Sequence, residues 1–160
     1  MPVTALRLGI VLSATLGLGA SSSPRVLQTR SDVLVISFEV ARNRPSLLVQ
    51  VSINGMRRLL VLDTGSAHTV IQPELVGIKG LKPTGSLQSD AAFFGDAVGA
   101  DVTLQVGNRI WQKYRLVAMD LSQILAAYQE NLDGVLGLDF LQLFRHVDID
   151  FHNHRIALTS

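Results

Sequence analysis

Asp63-Thr64-Gly65-Ser66 gathers a carboxylate, two hydroxyls and a glycine into one tetrapeptide, with Leu59-Leu60-Val61-Leu62 before it and Thr69-Val70-Ile71 after it. A carboxylate delivered by a buried strand is costly unless hydrogen bonds or a partner charge hold it. Thr64 and Ser66 can supply hydroxyl bonds, and Gly65, with no Cβ to clash, lets backbone amides close on the acid. This is a way to hold an acid ready for proton transfer. An Asp-x-Gly between strands is more often a plain turn. Here the apolar flanks leave no polar loop around the tripeptide, which favours a site.

About 70 residues downstream the chain reads DGVLGLDFLQLF, Asp133 to Phe144. In order and spacing, DTGS followed by Val135-Leu136-Gly137 resembles the retropepsin-like aspartic peptidases, specifically their bacterial and cellular single-domain branch. The resemblance covers about Val33 to Thr159. It implies an all-β fold, a small closed barrel with one or two short helices, acting as a homodimer. Asp63 is then the catalytic acid, Thr64, Gly65 and Ser66 support its loop, and Gly137 makes room beneath that loop. By the same resemblance Thr64 hydrogen-bonds across the dimer axis, and Ser66 bonds the outer carboxylate oxygen. Retroviral members carry Arg after the second glycine. This chain has Leu138, so its loop must be braced differently.

Pepsin-like enzymes carry two such acid loops in a chain about twice as long. Here no second one exists: Asp101-Val102-Thr103 lacks the glycine, and Asp133-Gly134-Val135 belongs to the second motif. A second acid must therefore come from another copy of the chain, and a two-fold axis brings the same residue from both. The implied activity is hydrolysis of peptide bonds in a peptide or protein by an activated water, with no metal or other cofactor. The rival is the same fold used as a non-catalytic peptide-binding or dimerisation module. A hydrolase pairing Asp63 with a histidine is disfavoured, because His68 reads as a surface residue.

The elements that must position these residues follow from alternation and turns. Val33 to Val40 and Leu47 to Ile53 read as strands, and Asn54-Gly55 is a two-residue hairpin signal leading into Leu59 to Leu62. Thr69 to Ile71 leaves the loop as a strand, and Pro73 to Val76 suits one helical turn with Pro at its start. Val102, Leu104 and Val106 alternate, Gly107-Asn108 turns, and Ile110 to Val117 returns. Leu121, Ile124, Leu125 and Tyr128 fall at helical spacing after Asp120, a candidate N-cap. Leu138 to Phe144 reads as a helix, and Val147 to Phe151 alternates apolar with acidic residues, so Asp148 and Asp150 should face solvent. Gly80 to Gly99 is rich in small residues. The resemblance places a flap there, with Phe93 and Phe94 either covering substrate or filling the core.

Composition narrows the function. The 160 residues carry 14 basic and 13 acidic side chains and no cysteine. That excludes disulfides and thiol chemistry, and no basic stripe points to nucleic acid. Arg57-Arg58 reads as a solvated hairpin end. His146, His152 and His154 read as structural histidines, two of them in a turn, with no metal site among them. Residues 1–22 read as a secretory signal: Arg7, an apolar run from Leu8 to Leu18, then Gly19-Ala20-Ser21-Ser22. An uncleaved anchor is the alternative, and either would export the domain to a periplasmic or secreted location. Residues 23–31 form a polar tether, and 32–160 form the folded domain.

Overall fold

The computed structural model describes residues 6–8, 25–26, 32–80, 97–128 and 130–160. Phe93 and Phe94, and most of the leader and tether, lie outside these residues. Eleven strands form one sheet: β1 (Leu6–Leu8), β2 (Arg25–Val26), β3 (Val33–Val40), β4 (Leu47–Ile53), β5 (Met56–Leu62), β6 (Val70–Ile71), β7 (Val98–Val106), β8 (Arg109–Ala118), β9 (Gly134–Leu136), β10 (His146–Asp150) and β11 (Arg155–Thr159). Two short helices, α1 (Ser122–Ala126) and α2 (Leu138–Leu141), and a 3-10 turn at Pro73–Val76 complete the described elements.

Six of the strands close on themselves. β4 pairs with β5, β5 with β9, β9 with β6, β6 with β8, β8 with β7, and β7 returns to β4 through Ser52↔Gln105 and Ile53↔Leu104. Closure removes the exposed edges that an open sheet of this size would carry. β3, β11, β10 and β1 continue outward from β4 as an antiparallel wing. The fold is all-β, with the expected small closed barrel.

Local chemistry sets the boundaries. Asn54 and Gly55 both take positive φ, 51° and 82°, which a two-residue hairpin of this type requires, and Ile53 then faces Met56 across the turn. In β3, Leu34, Ile36 and Phe38 point into the core while Val33, Val35 and Ser37 stay outside. β8 departs from simple alternation. Val102 faces Tyr114 but Leu104 faces Trp111, so β8 holds one extra residue there, and Lys113 sits at φ 54°. The bulge turns both Trp111 and Tyr114 inward although they are three apart. Trp111 meets Phe140 and Phe144 edge-on at 5.4 and 6.3 Å, which anchors α2 in the barrel core. The helix stops at Leu141, earlier than the apolar run through Phe144 suggests, and continues as a turn that still buries Phe144.

A second cluster of Ala41, Leu48, Val61, Val70, Met119, Leu121, Leu125 and Leu132 packs under α1. The N-cap of that helix is Leu121, not Asp120 as the sequence suggested. Asp120 stands one residue earlier, where its Oδ1 accepts the Ser122 amide at 2.8 Å, and hydrogen bonds from the Ser122 side chain and amide draw its carboxyl below the usual range. Arg58 departs from the solvated reading. It is half-buried, with its guanidinium 3.8 Å from Asp133, whose other oxygen accepts the Leu59 amide at 2.8 Å. Asp148 and Asp150 are exposed, and His154 stacks on Phe38 at 5.3 Å.

β9 is the tightest joint of the barrel. It runs parallel to β5 and antiparallel to β6, so it lies between the strands that enter and leave the Asp63 loop. A Cβ on Gly134 would stand 2.2 Å from the Val70 carbonyl oxygen, and one on Gly137 would stand 2.4 Å from the His68 carbonyl. Gly137 has φ −93°, which any residue can adopt, so it is glycine for want of space alone. The obstructing atoms are backbone and cannot swing aside. Gly137→Val should therefore cost at least about 3 kcal/mol or abolish folding. Urea unfolding of variant and parent, compared by midpoint and slope, measures this, and an unchanged midpoint would refute the contact.

Candidate active site

The Asp63 loop begins where β5 ends, and its backbone is tied down at several points. The Asp63 amide donates to the Leu136 carbonyl at 3.1 Å, continuing the parallel pairing of β5 with β9. The Ser66 amide reaches back to the Asp63 carbonyl at 3.4 Å, and the Leu138 amide donates to the Ser66 carbonyl at 2.8 Å. The two motifs are thus joined by main-chain hydrogen bonds from both sides of the loop. Leu136 and Gly137 lie directly against it, and Val135 pairs with Val61 and Val70 in the strands on either side.

On the loop itself, the Gly65 amide donates to Asp63 Oδ1 at 2.8 Å. A Cβ at Gly65 would lie 3.1 Å from that same oxygen, so glycine is what lets the amide approach. Asp63, Thr64 and Gly65 are all exposed in the single chain. This corrects the expectation of a buried acid: the carboxylate rides on a buried foundation but faces outward. Ser66 also departs from its expected role. Its side chain is buried, and its hydroxyl donates to the His68 carbonyl at 2.8 Å, not to the carboxylate. The loop folds that carbonyl back over the hydroxyl, giving a buried donor a buried acceptor. Ser66 therefore holds the shape of the loop exit. His68 is exposed, as read from the sequence.

Beneath the loop lies a polar cluster that the sequence reading passed over. Thr69 is fully buried, and its Oγ1 accepts the Gly137 amide at 3.2 Å and donates to Asp139 Oδ1 at 2.8 Å. The same oxygen lies 3.1 Å from the Tyr114 hydroxyl. A threonine has one proton to give, so with Asp139 receiving it Tyr114 is the donor in that third bond. Burial pushes the Tyr114 hydroxyl well above the ordinary phenol range; the Thr69 bond opposes this and the Asp139 charge adds to it. Tyr114 thus remains a donor throughout the working range of pH. Asp139 Oδ1 also accepts the Phe140 amide at 2.8 Å, at the start of α2. Two signals could have exposed the cluster: a lone acid between Leu138 and Phe140, and a hydroxyl residue entering the apolar strand Val70-Ile71.

Among the described residues, no group of three or more His, Cys, Asp and Glu is placed to hold a metal ion. The arrangement suits general acid–base chemistry: an accessible carboxylate, fixed by a backbone amide, on a loop whose main chain is bonded to a second motif.

Comparison with known proteins agrees with this geometry. A profile of the aspartyl protease family matches residues 49–140, a span that contains both motifs. The structure is similar to that of a retropepsin-like aspartic protease from Rickettsia conorii, with TM-score 0.51 and 17% sequence identity over 86% of this chain and 94% of that one. A search of curated proteins finds no match. With a retropepsin-like fold and a family match across both motifs, the chain belongs to the aspartyl protease family.

Proposed function

We propose that the protein is an exported aspartic endopeptidase that works as a homodimer, with Asp63 from each of two copies forming the catalytic pair. The observation that carries this reading is the Asp63 loop: an exposed carboxylate on a main chain fixed from below, one such loop to a chain. An exposed acid on a fixed loop can meet its own copy across a two-fold axis, whereas a buried one could not. Thr64, exposed beside it, is then placed to bond across that axis.

In such a pair, two carboxylates side by side resist double ionisation and share one proton. The ionised member takes a proton from a bound water as that water attacks the scissile carbonyl carbon. The protonated member gives its proton to the carbonyl oxygen, forming a gem-diol. The diol then collapses, the C–N bond breaks, and the leaving amine takes up a proton. The substrate is a peptide or protein. The apolar leader supports export to a periplasmic or secreted location, either with cleavage or with the segment kept as a membrane anchor.

Asp63→Asn should lower peptide cleavage by at least about 10³-fold while the fold and the dimer persist, because the amide is near-isosteric but cannot act as base. Cleavage of a mixed peptide library by variant and parent tests this, and substantial turnover in the variant would remove Asp63 from the chemistry. If no Asp63-dependent cleavage occurs at any pH, the fold serves as a binding module instead.

Specific activity should fall on dilution in step with dissociation seen by sedimentation. Full activity from a demonstrated monomer would exclude a pair shared between chains. The rate should follow a bell-shaped pH curve, lost on the alkaline side when both acids ionise and on the acid side when both are protonated.

A further inference from the structure

The main-chain bonds that hold the Asp63 loop end on Leu136 and Leu138, which flank Gly137, so this turn needs a support of its own. We propose that Thr69, with Asp139 and Tyr114, is that support: the Thr69 hydroxyl locks α2 and the Gly137 turn against the loop exit and so sets the position of the Asp63 carboxylate. These are positioning residues, and the inference rests on Asp63 being the catalytic acid.

Thr69 Oγ1 binds three elements at once: the Gly137 amide from the end of β9, the Asp139 carboxylate from α2, and the Tyr114 hydroxyl from β8. From there, two short paths lead to Asp63. In one, Gly137 follows Leu136, whose carbonyl receives the Asp63 amide at 3.1 Å. In the other, Leu138 precedes Asp139, and its amide holds the Ser66 carbonyl at 2.8 Å. The Ser66 hydroxyl then holds the carbonyl of His68, the residue before Thr69, closing the circuit.

Every capacity of the Thr69 hydroxyl is used: one donated bond and two accepted ones. A fully satisfied buried hub has one low-energy arrangement, so it transmits position and not merely cohesion. Tyr114 reaches it only because the β8 bulge turns its ring inward.

Thr69→Val preserves shape and removes the hydroxyl, and Thr69→Ser restores the hydroxyl. With purified full-length protein, Thr69→Val should lower kcat by about tenfold or more with KM within about twofold, since misplacing a catalytic group costs rate more than binding. Thr69→Ser should recover most of that loss. Independently of activity, hydrogen exchange in Thr69→Val should quicken by about tenfold across residues 63–69 and 134–141, while β10 and β11 exchange as in the parent.

Asp139→Ala, at a half-buried position, should give the same pattern more weakly and serves if Thr69→Val does not fold. Unchanged exchange at the loop, or exchange raised equally in β10 and β11, would overturn the positioning role. So would a kcat equal to the parent's in a folded variant. A parent without Asp63-dependent cleavage would instead defeat the peptidase reading, and the exchange pattern would still decide whether Thr69 orders the loop.

Discussion

The structure depends on one close approach: the backbone of β9 and its exit turn pressed against residues 68–71. Gly134 and Gly137 allow it, and the hydrogen bonds around the Asp63 loop exist because of it. Were the two segments held apart by even one methyl group, the Gly137 amide could not keep its bond to Thr69, nor the Leu138 amide its bond to Ser66. Backbone packed on backbone leaves no side chain to adjust. The result is a stiff joint, with the loop held by main-chain bonds from two directions while its carboxylate stays in solvent.

Polarity is distributed to match that joint. The exposed face of the loop carries the acid, and the buried face carries hydroxyls whose bonds are all met within the chain. Ser66 turns to a carbonyl, and Thr69 to an amide, an acid and a phenol. An unmet hydroxyl in this setting would cost about 1–3 kcal/mol, so a complete circuit favours one loop geometry over its neighbours. Arg58 and Asp133 play a comparable part at the other end of β9, where the acid holds both the guanidinium and the Leu59 amide and fixes β5 beside it.

Much of this was legible in the sequence, for physical reasons that differ by element. Asn54-Gly55 announces its turn because positive φ at two successive positions suits few residues. The alternation of β3 and β7 announces strands because each has one buried face. Gly65 and Gly137 are readable because a close approach leaves no choice of residue, and Asp63 because an acid among hydroxyls interrupts an apolar run. Other features are set by tertiary contacts that no local pattern records. The sequence leaves the partner of the Ser66 hydroxyl open, and only the folded loop decides for the His68 carbonyl over the carboxylate. Arg58 looks solvated until β9 brings Asp133 alongside. Thr69, Tyr114 and Asp139 are far apart in the chain, and nothing local shows that they share one oxygen atom.

The extra residue in β8 has a consequence for how this chain tolerates change. Gln112 and Lys113 are exposed, and their side chains do little that other polar residues could not do. Their backbone is another matter. With two residues between them, Trp111 and Tyr114 face the same way only because Lys113 takes the left-handed conformation. Loss of either residue would close the bulge and leave the rings two apart, the spacing at which an ordinary strand turns both to one side. What such a loss would remove is the local bend and added twist that the extra residue gives β8, not the inward facing of the rings. The constraint at these positions thus falls on conformation: while both residues are present, position 113 must accept positive φ whatever its chemistry.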